Sequence, residues 1–106
     1  MSAPEILATR ESLQATHFAV AASWCEEHQW FSGNQMQPRG LMVRLAPAVP
    51  EFESPFCAVG LRAQVGREVP REYSIGKRED SGHLVLFFAH ETALPAVGAS
   101  VRLVET

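Results

Sequence analysis

The chain has 106 residues, 46% of them apolar and 20% charged, with nine Lys and Arg against twelve Asp and Glu for a formal net charge of −3. That length holds one hydrophobic core and is short of two, the apolar and charged shares are those of a globular domain, and thinly scattered cations argue against a nucleic-acid surface. No run approaches the roughly 18 apolar residues of a membrane span and no basic segment precedes an apolar one at the N-terminus, so the expectation is a soluble, cytoplasmic protein without membrane contact.

Met1 to Pro4 reads as a loose terminus. From Glu5 to Ser32 there is no Gly or Pro, and two readings compete. Leu13, His17, Val20, Ala21, Trp24, His28 and Phe31 fall at near-helical spacing with Gly33 as a cap, while Phe18, Val20 and Ala22 alternate as a strand does. Ser32 to Arg39, with turn signals at Ser32-Gly33-Asn34 and Pro38-Arg39-Gly40, reads as a loop. Leu41, Val43 and Leu45 alternate with Met42 and Arg44, which predicts a strand with one buried face, ended by Pro47-Ala48-Val49-Pro50 and a loop to Pro55. Cys57, Val59, Leu61, Ala63 and Val65 then make the cleanest alternation in the chain. Gly66 to Pro70 turns into a further strand in which Tyr73 and Ile75 face one way. Asp80-Ser81-Gly82 predicts a hairpin turn before His83 to Ala89, a run apolar on both faces and therefore central. Glu91 to Val97 is a connection and Ser100 to Val104 the last strand. Short strands joined by turns, without βαβ units, predict a mainly β fold: a small antiparallel six-stranded Greek-key barrel, with a helix as the competing reading of the N-terminal segment.

Cys25 and Cys57 are too few for a disulfide framework, and their apolar neighbours predict buried thiols. His17, His28, His83 and His90 are dispersed without ligand spacing, so no metal is expected. Glu26-Glu27-His28 and Glu79-Asp80 read as solvated charges, and Trp24, Trp30 and Phe31, which could stack single-stranded bases, lack the basic groove that role needs.

The stretch with the most chemistry is Val69-Pro70-Arg71-Glu72-Tyr73-Ser74-Ile75. On an extended strand Arg71 and Tyr73, two apart, share a face while Ser74 looks away, which sets a cation beside a flat ring. Arg grips phosphate through two parallel hydrogen bonds and Tyr stacks on ring systems, so the pair suits a flat anionic ligand such as a flavin nucleotide. These residues resemble the Arg-x-Tyr-Ser-Ile signature of the flavin-binding β-barrel in the ferredoxin reductase superfamily, with the diflavin, sulfite-reductase flavoprotein branch the nearest likeness. Leu7 to Glu11 resembles the opening strand of those domains, Leu41 to Pro47 the second and Val97 to Leu103 the closing one; only Pro70 to Ile75 is specific.

The resemblance implies FAD or FMN as cofactor, with Arg71 on the pyrophosphate, Tyr73 against the isoalloxazine ring, the Ser74 hydroxyl near its reactive nitrogen, and Ile75 completing the signature. The plainer alternative pairs Arg71 with a neighbouring carboxylate and packs Tyr73 at the barrel surface. Two departures bear on function. The family's Gly- and Ser-containing phosphate segment is replaced here by Glu91-Thr92-Ala93-Leu94-Pro95-Ala96-Val97, acidic and with a Pro that has no amide to donate. The chain also carries no Gly-x-Gly-x-x-Gly and no length for a nicotinamide-binding domain. The expected function is a flavin-binding module of an electron-transfer oxidoreductase that needs a redox partner or a further domain for NAD(P)H. The alternative is a non-enzymatic barrel that binds other proteins and has lost the cofactor.

Overall fold

The computed structural model describes residues 6–27, 39–89 and 93–105. Its first element is decided by a local cap: the Thr9 side chain accepts from the Ser12 amide at 3.0 Å, and the Ser12 hydroxyl accepts from the Thr9 amide at 2.8 Å. This reciprocal box satisfies two amides that a helix start leaves open, and it launches helix α1, Arg10–Ala15. Leu13 is its buried residue, and Thr16 turns the backbone to an extended conformation. Strand β1, Phe18–Glu27, follows at once. Both readings of the N-terminal segment are therefore realised in part. The likeness of Leu7 to Glu11 to an opening strand is overturned: Ala8 makes only an isolated bridge to Phe52, Thr9 is the helix cap, and the first strand begins at Phe18.

The remaining strands are β2, Arg39–Ala46; β3, Leu61–Val65; β4, Ser74–Arg78; β5, Leu84–Ala89; and β6, Ser100–Glu105. They form one antiparallel sheet in the order β3-β6-β1-β2-β5-β4, curled into a half-barrel. The two edges touch at one isolated bridge, where Ala63 and Arg71 exchange both backbone hydrogen bonds at 2.9 Å. With that bridge, β3, β4 and β5 lie side by side in sequence order and β6 returns beside β3, which is a Greek key. The expected mainly β, six-stranded Greek-key architecture is the one observed among the described residues.

The concave face is the core. Phe18 and Val20 from β1, Leu41, Val43 and Leu45 from β2, Leu84, Leu86 and Phe88 from β5, and Val101 and Leu103 from β6 pack there with Leu61, Ala63 and Val65, and Leu13 joins from α1. The period of two puts the other residues of each strand on the convex face. On β5 that face is apolar too, and Val85 and Phe87 form a second cluster with Met42 under Trp24. Trp24, Met42 and Phe87 lie in one cross-strand row over β1, β2 and β5, so β5 is covered on both faces as its sequence predicts.

Several boundaries are corrected. β2 starts at Arg39 and contains Gly40, so that part of the predicted turn is strand; residues 28–38 lie outside the described residues. Gly40 is there because Phe87 lies over it: a Cβ would sit 2.7 Å from the Phe87 ring and closer still to the Phe88 carbonyl oxygen. Met42 is buried, so the convex side of β2 is apolar there and polar at Arg44. The alternation from Cys57 is strand only from Leu61. Before it, turn bonds from the Cys57 amide to Ser54 and from the Leu61 amide to Ala58 coil the chain, and Gly60 at φ +81° releases it into β3. Val97 to Ala99 is turn, with Gly98 at φ +90°, and β6 begins at Ser100. No helix among the described residues is long and apolar enough to cross a membrane.

Candidate functional site

The seam between the sheet edges is where the predicted site residues gather. Arg71 is held by its backbone pair with Ala63, before β4 begins. An antiparallel pair turns the side chains of opposed residues to the same face, so Arg71 follows Ala63, which is 0% exposed, towards the concave side. Its guanidinium carbon stands 5.3 Å from the centroid of the Phe88 ring, and one terminal nitrogen is 3.0 Å from the Glu68 carboxylate. Tyr73, two residues on, meets the same ring: its centroid is 6.3 Å from that of Phe88 with the planes 50° apart. Cation and phenol ring therefore project the same way from one extended segment, as their spacing predicts.

The other two residues take different places. Ser74 opens β4 opposite Phe87; the predicted orientation of its side chain lies outside the described residues. Ile75 is half-buried against the core. A bulge after it shifts the β4 register before Lys77.

Three openings meet at Tyr73. The largest, about 400 Å³, is lined by Gly60, Leu61, Arg62, Glu72 and Tyr73. A second, about 260 Å³, is lined mostly by apolar residues but with polar backbone among them, Pro55, Ala58, Val59 and Ile75 joining Gly60, Leu61 and Tyr73. A third, about 180 Å³, opens on the other side between Tyr73, Glu72, Phe87 and Ala89. The larger two share Gly60, Leu61 and Tyr73, so they form one trough with a polar end and an apolar end, within the size range of small-molecule sites. It exists because β3 and the chain before β4 touch only at Ala63–Arg71 and diverge on the Gly60 side. The guanidinium of Arg71 does not line these three openings.

No family model, curated protein or solved structure matches the chain.

The electrostatics give Tyr73 a defined state. Burial pushes its hydroxyl up from 10.0 to about 12, with Arg10 opposing the shift, so the phenol is neutral at physiological pH. Its oxygen is closed to solvent and has no hydrogen-bond partner among the described residues. Cys57 is buried and desolvation raises its thiol, the state of an inert packing residue; Cys25 is half-buried rather than buried. No group of three or more His, Cys, Asp or Glu among the described residues could hold a metal.

Sequence reasoning missed four members of this neighbourhood. Glu68, an exposed carboxylate three residues before Arg71, is the neighbour that the plainer alternative required, and its i, i+3 spacing was a legible signal. Phe88 was legible only as part of an apolar run. Arg62 and Glu72 meet across the seam at 3.5 Å, a contact set by the non-local bridge beside them. Away from the seam, Glu79 is no solvated charge: it makes a two-pronged pair with Arg44 at 2.7 and 3.0 Å, and Arg44 in turn stacks over Trp24.

Proposed function

We propose that this chain is a flavin-binding module of an electron-transfer system, taking FAD or FMN at the seam and exchanging electrons with a partner protein or a further domain. The observation that carries the reading is the shared direction of Arg71 and Tyr73 from one segment, with Tyr73 lining a trough of small-molecule size. A half-buried phenol that is neutral and held against Phe88 offers a ring edge to a flat ligand, Ile75 and Val59 extend the apolar wall, and Arg71 sits within the same stretch for a phosphate. The sequence has no Gly-x-Gly-x-x-Gly, so hydride from a nicotinamide nucleotide has to enter through another polypeptide segment.

A second reading has its own observation. Arg71 is engaged by Glu68 and lies over Phe88, so its charge serves the fold itself; on that basis the barrel is an interaction module without cofactor. The two part in one titration. Purified protein stripped of small molecules is titrated with FAD and FMN, following flavin fluorescence. Micromolar binding that Arg71→Ala weakens at least about tenfold, the loss of one charge-assisted contact, supports the flavin module. Absence of binding at millimolar flavin removes it and leaves the interaction module.

A further inference from the structure

We infer that Arg62 is the principal anion-holding residue of the seam, taking the phosphate of a ring-bearing ligand in place of Glu72. The inference rests on the proposed flavin reading for the identity of the ring, and on the groove geometry alone for the anion.

The Ala63–Arg71 bridge fixes what lies beside it. Antiparallel pairing sets Arg62 opposite Glu72 on the face away from the core, and both line the 400 Å³ opening with Tyr73. Arg71 points the other way, over Phe88 and onto Glu68, and lines none of the three openings. Of the two arginines beside the bridge, Arg62 is thus the one that lines the trough, while Arg10, near its far end, is already engaged by the Val59 carbonyl and Glu105. Its present partner holds it weakly: the Arg62 nitrogen and Glu72 oxygen are 3.5 Å apart, with side chains 44% and 85% exposed. Such an exposed pair contributes little and is readily exchanged. A phosphate carries more charge than one carboxylate and accepts two parallel hydrogen bonds from a guanidinium, so it displaces Glu72. The ring of the same ligand then lies towards Tyr73 and the apolar end. This arrangement also replaces the phosphate segment that Glu91 to Val97 does not provide.

The test uses the full chain, labelled with nitrogen-15, and three probes: inorganic pyrophosphate, FMN, and riboflavin, which has the ring without phosphate. The expected result is that pyrophosphate moves the amide resonances of Arg62 and Glu72, that Arg62→Gln weakens pyrophosphate and FMN at least about tenfold while riboflavin changes less than about twofold, and that Glu72→Gln tightens FMN about threefold or more. Both positions are exposed enough for substitution without loss of the fold, which the amide spectrum itself reports. Pyrophosphate binding that is absent, or unchanged in Arg62→Gln, overturns the assignment even where riboflavin binds, and leaves the flavin reading standing. Arg62-dependent pyrophosphate binding with no response to either flavin supports the anion site and removes the flavin.

Discussion

Replacing Tyr73 by Phe is the perturbation whose outcome the structure fixes most closely. The substitution keeps the ring against Phe88 and deletes only a hydroxyl that is closed to solvent and meets no partner among the described residues. Burying such a group costs about 1–3 kcal/mol, so Tyr73→Phe is expected to stabilise the fold by roughly 1 kcal/mol, or about 4–8 °C in Tm for a domain of this size. The same hydroxyl gives the protein an alkaline limb. Below pH 10 both folded and unfolded chains hold the phenolic proton; between 10.0 and about 12 the unfolded chain releases it while the folded one retains it, so stability falls as pH rises through that window. Two units at 1.36 kcal/mol each set a ceiling of ~2.7 kcal/mol, and partial exposure of the ring lowers this to on the order of 1–2 kcal/mol. Tyr73 is the only tyrosine, so its tyrosinate absorbance reads the titration directly in the folded state and in urea. Urea unfolding of both proteins from pH 8 upward completes the measurement, and the Tyr73→Phe variant is expected to lack the loss of stability that wild type develops above pH 10. A variant less stable than wild type at pH 8, or a folded phenol titrating near 10, refutes the account of Tyr73 as a desolvated, unpartnered hydroxyl.

Two further substitutions test the sheet. Gly40→Ala places a Cβ into the Phe87 ring and the Phe88 backbone, so the β2–β5 pair has to part; the expected loss is about 3 kcal/mol or more, against about 1–2 kcal/mol for Gly66→Ala, where φ is +59° but nothing lies within 4 Å. Equal losses in thermal unfolding remove the steric explanation. Glu79→Gln tests the Arg44 pair, which holds the Glu79 carboxyl below its ordinary value of 4.5. A lowered carboxyl stabilises above that value and loses the contribution as pH falls through it, so the variant is expected to be weaker than wild type at pH 7 and to match it in strong acid, by urea midpoints.

Local signals in the sequence suffice where one face or one turn decides the outcome. The run from Leu84 to Phe88 is apolar at every position, and β5 lies between β2 and β4 with both faces covered. Asp80-Ser81-Gly82 makes its turn, with Gly82 at φ +93°. Alternation misleads before β3, because Cys57 and Val59 continue the period of two through a coil: Cys57 is buried and Val59 is 61% exposed, so the pattern there marks no sheet face. Gly40 looks like a turn residue until the aromatic ring of Phe87, far along the chain, is found lying on it. At the N-terminus Thr9 and Ser12 form their own cap within four residues, yet Ser in place of the usual Glu or Gln weakens that signal in sequence. The common direction of Arg71 and Tyr73 follows from spacing alone. The partners that decide what those groups can do, Phe88, Arg62 and Glu72, depend on the single bridge between Ala63 and Arg71, whose position no periodicity announces.

That bridge also bears on which kind of ligand the seam admits. Two facing sheet edges that meet at a single point invite an added strand, and proteins commonly block such edges with charges, bulges and short strands. β3 and β4 have five residues each. β3 turns Arg62 and Gln64 outward, and Gln64 already binds the Glu68 carbonyl across the turn. β4 carries Lys77 and Arg78 beyond a bulge, with Arg78 tied to the Val49 carbonyl at 2.8 and 3.0 Å. An incoming strand meets those charges and an interrupted register along most of its length. A compact ligand that ends at the bridge meets only Tyr73, the apolar wall and the Arg62–Glu72 pair. The edge chemistry therefore weighs for a small molecule over strand addition as the occupant of the trough, in line with the anion site proposed at Arg62.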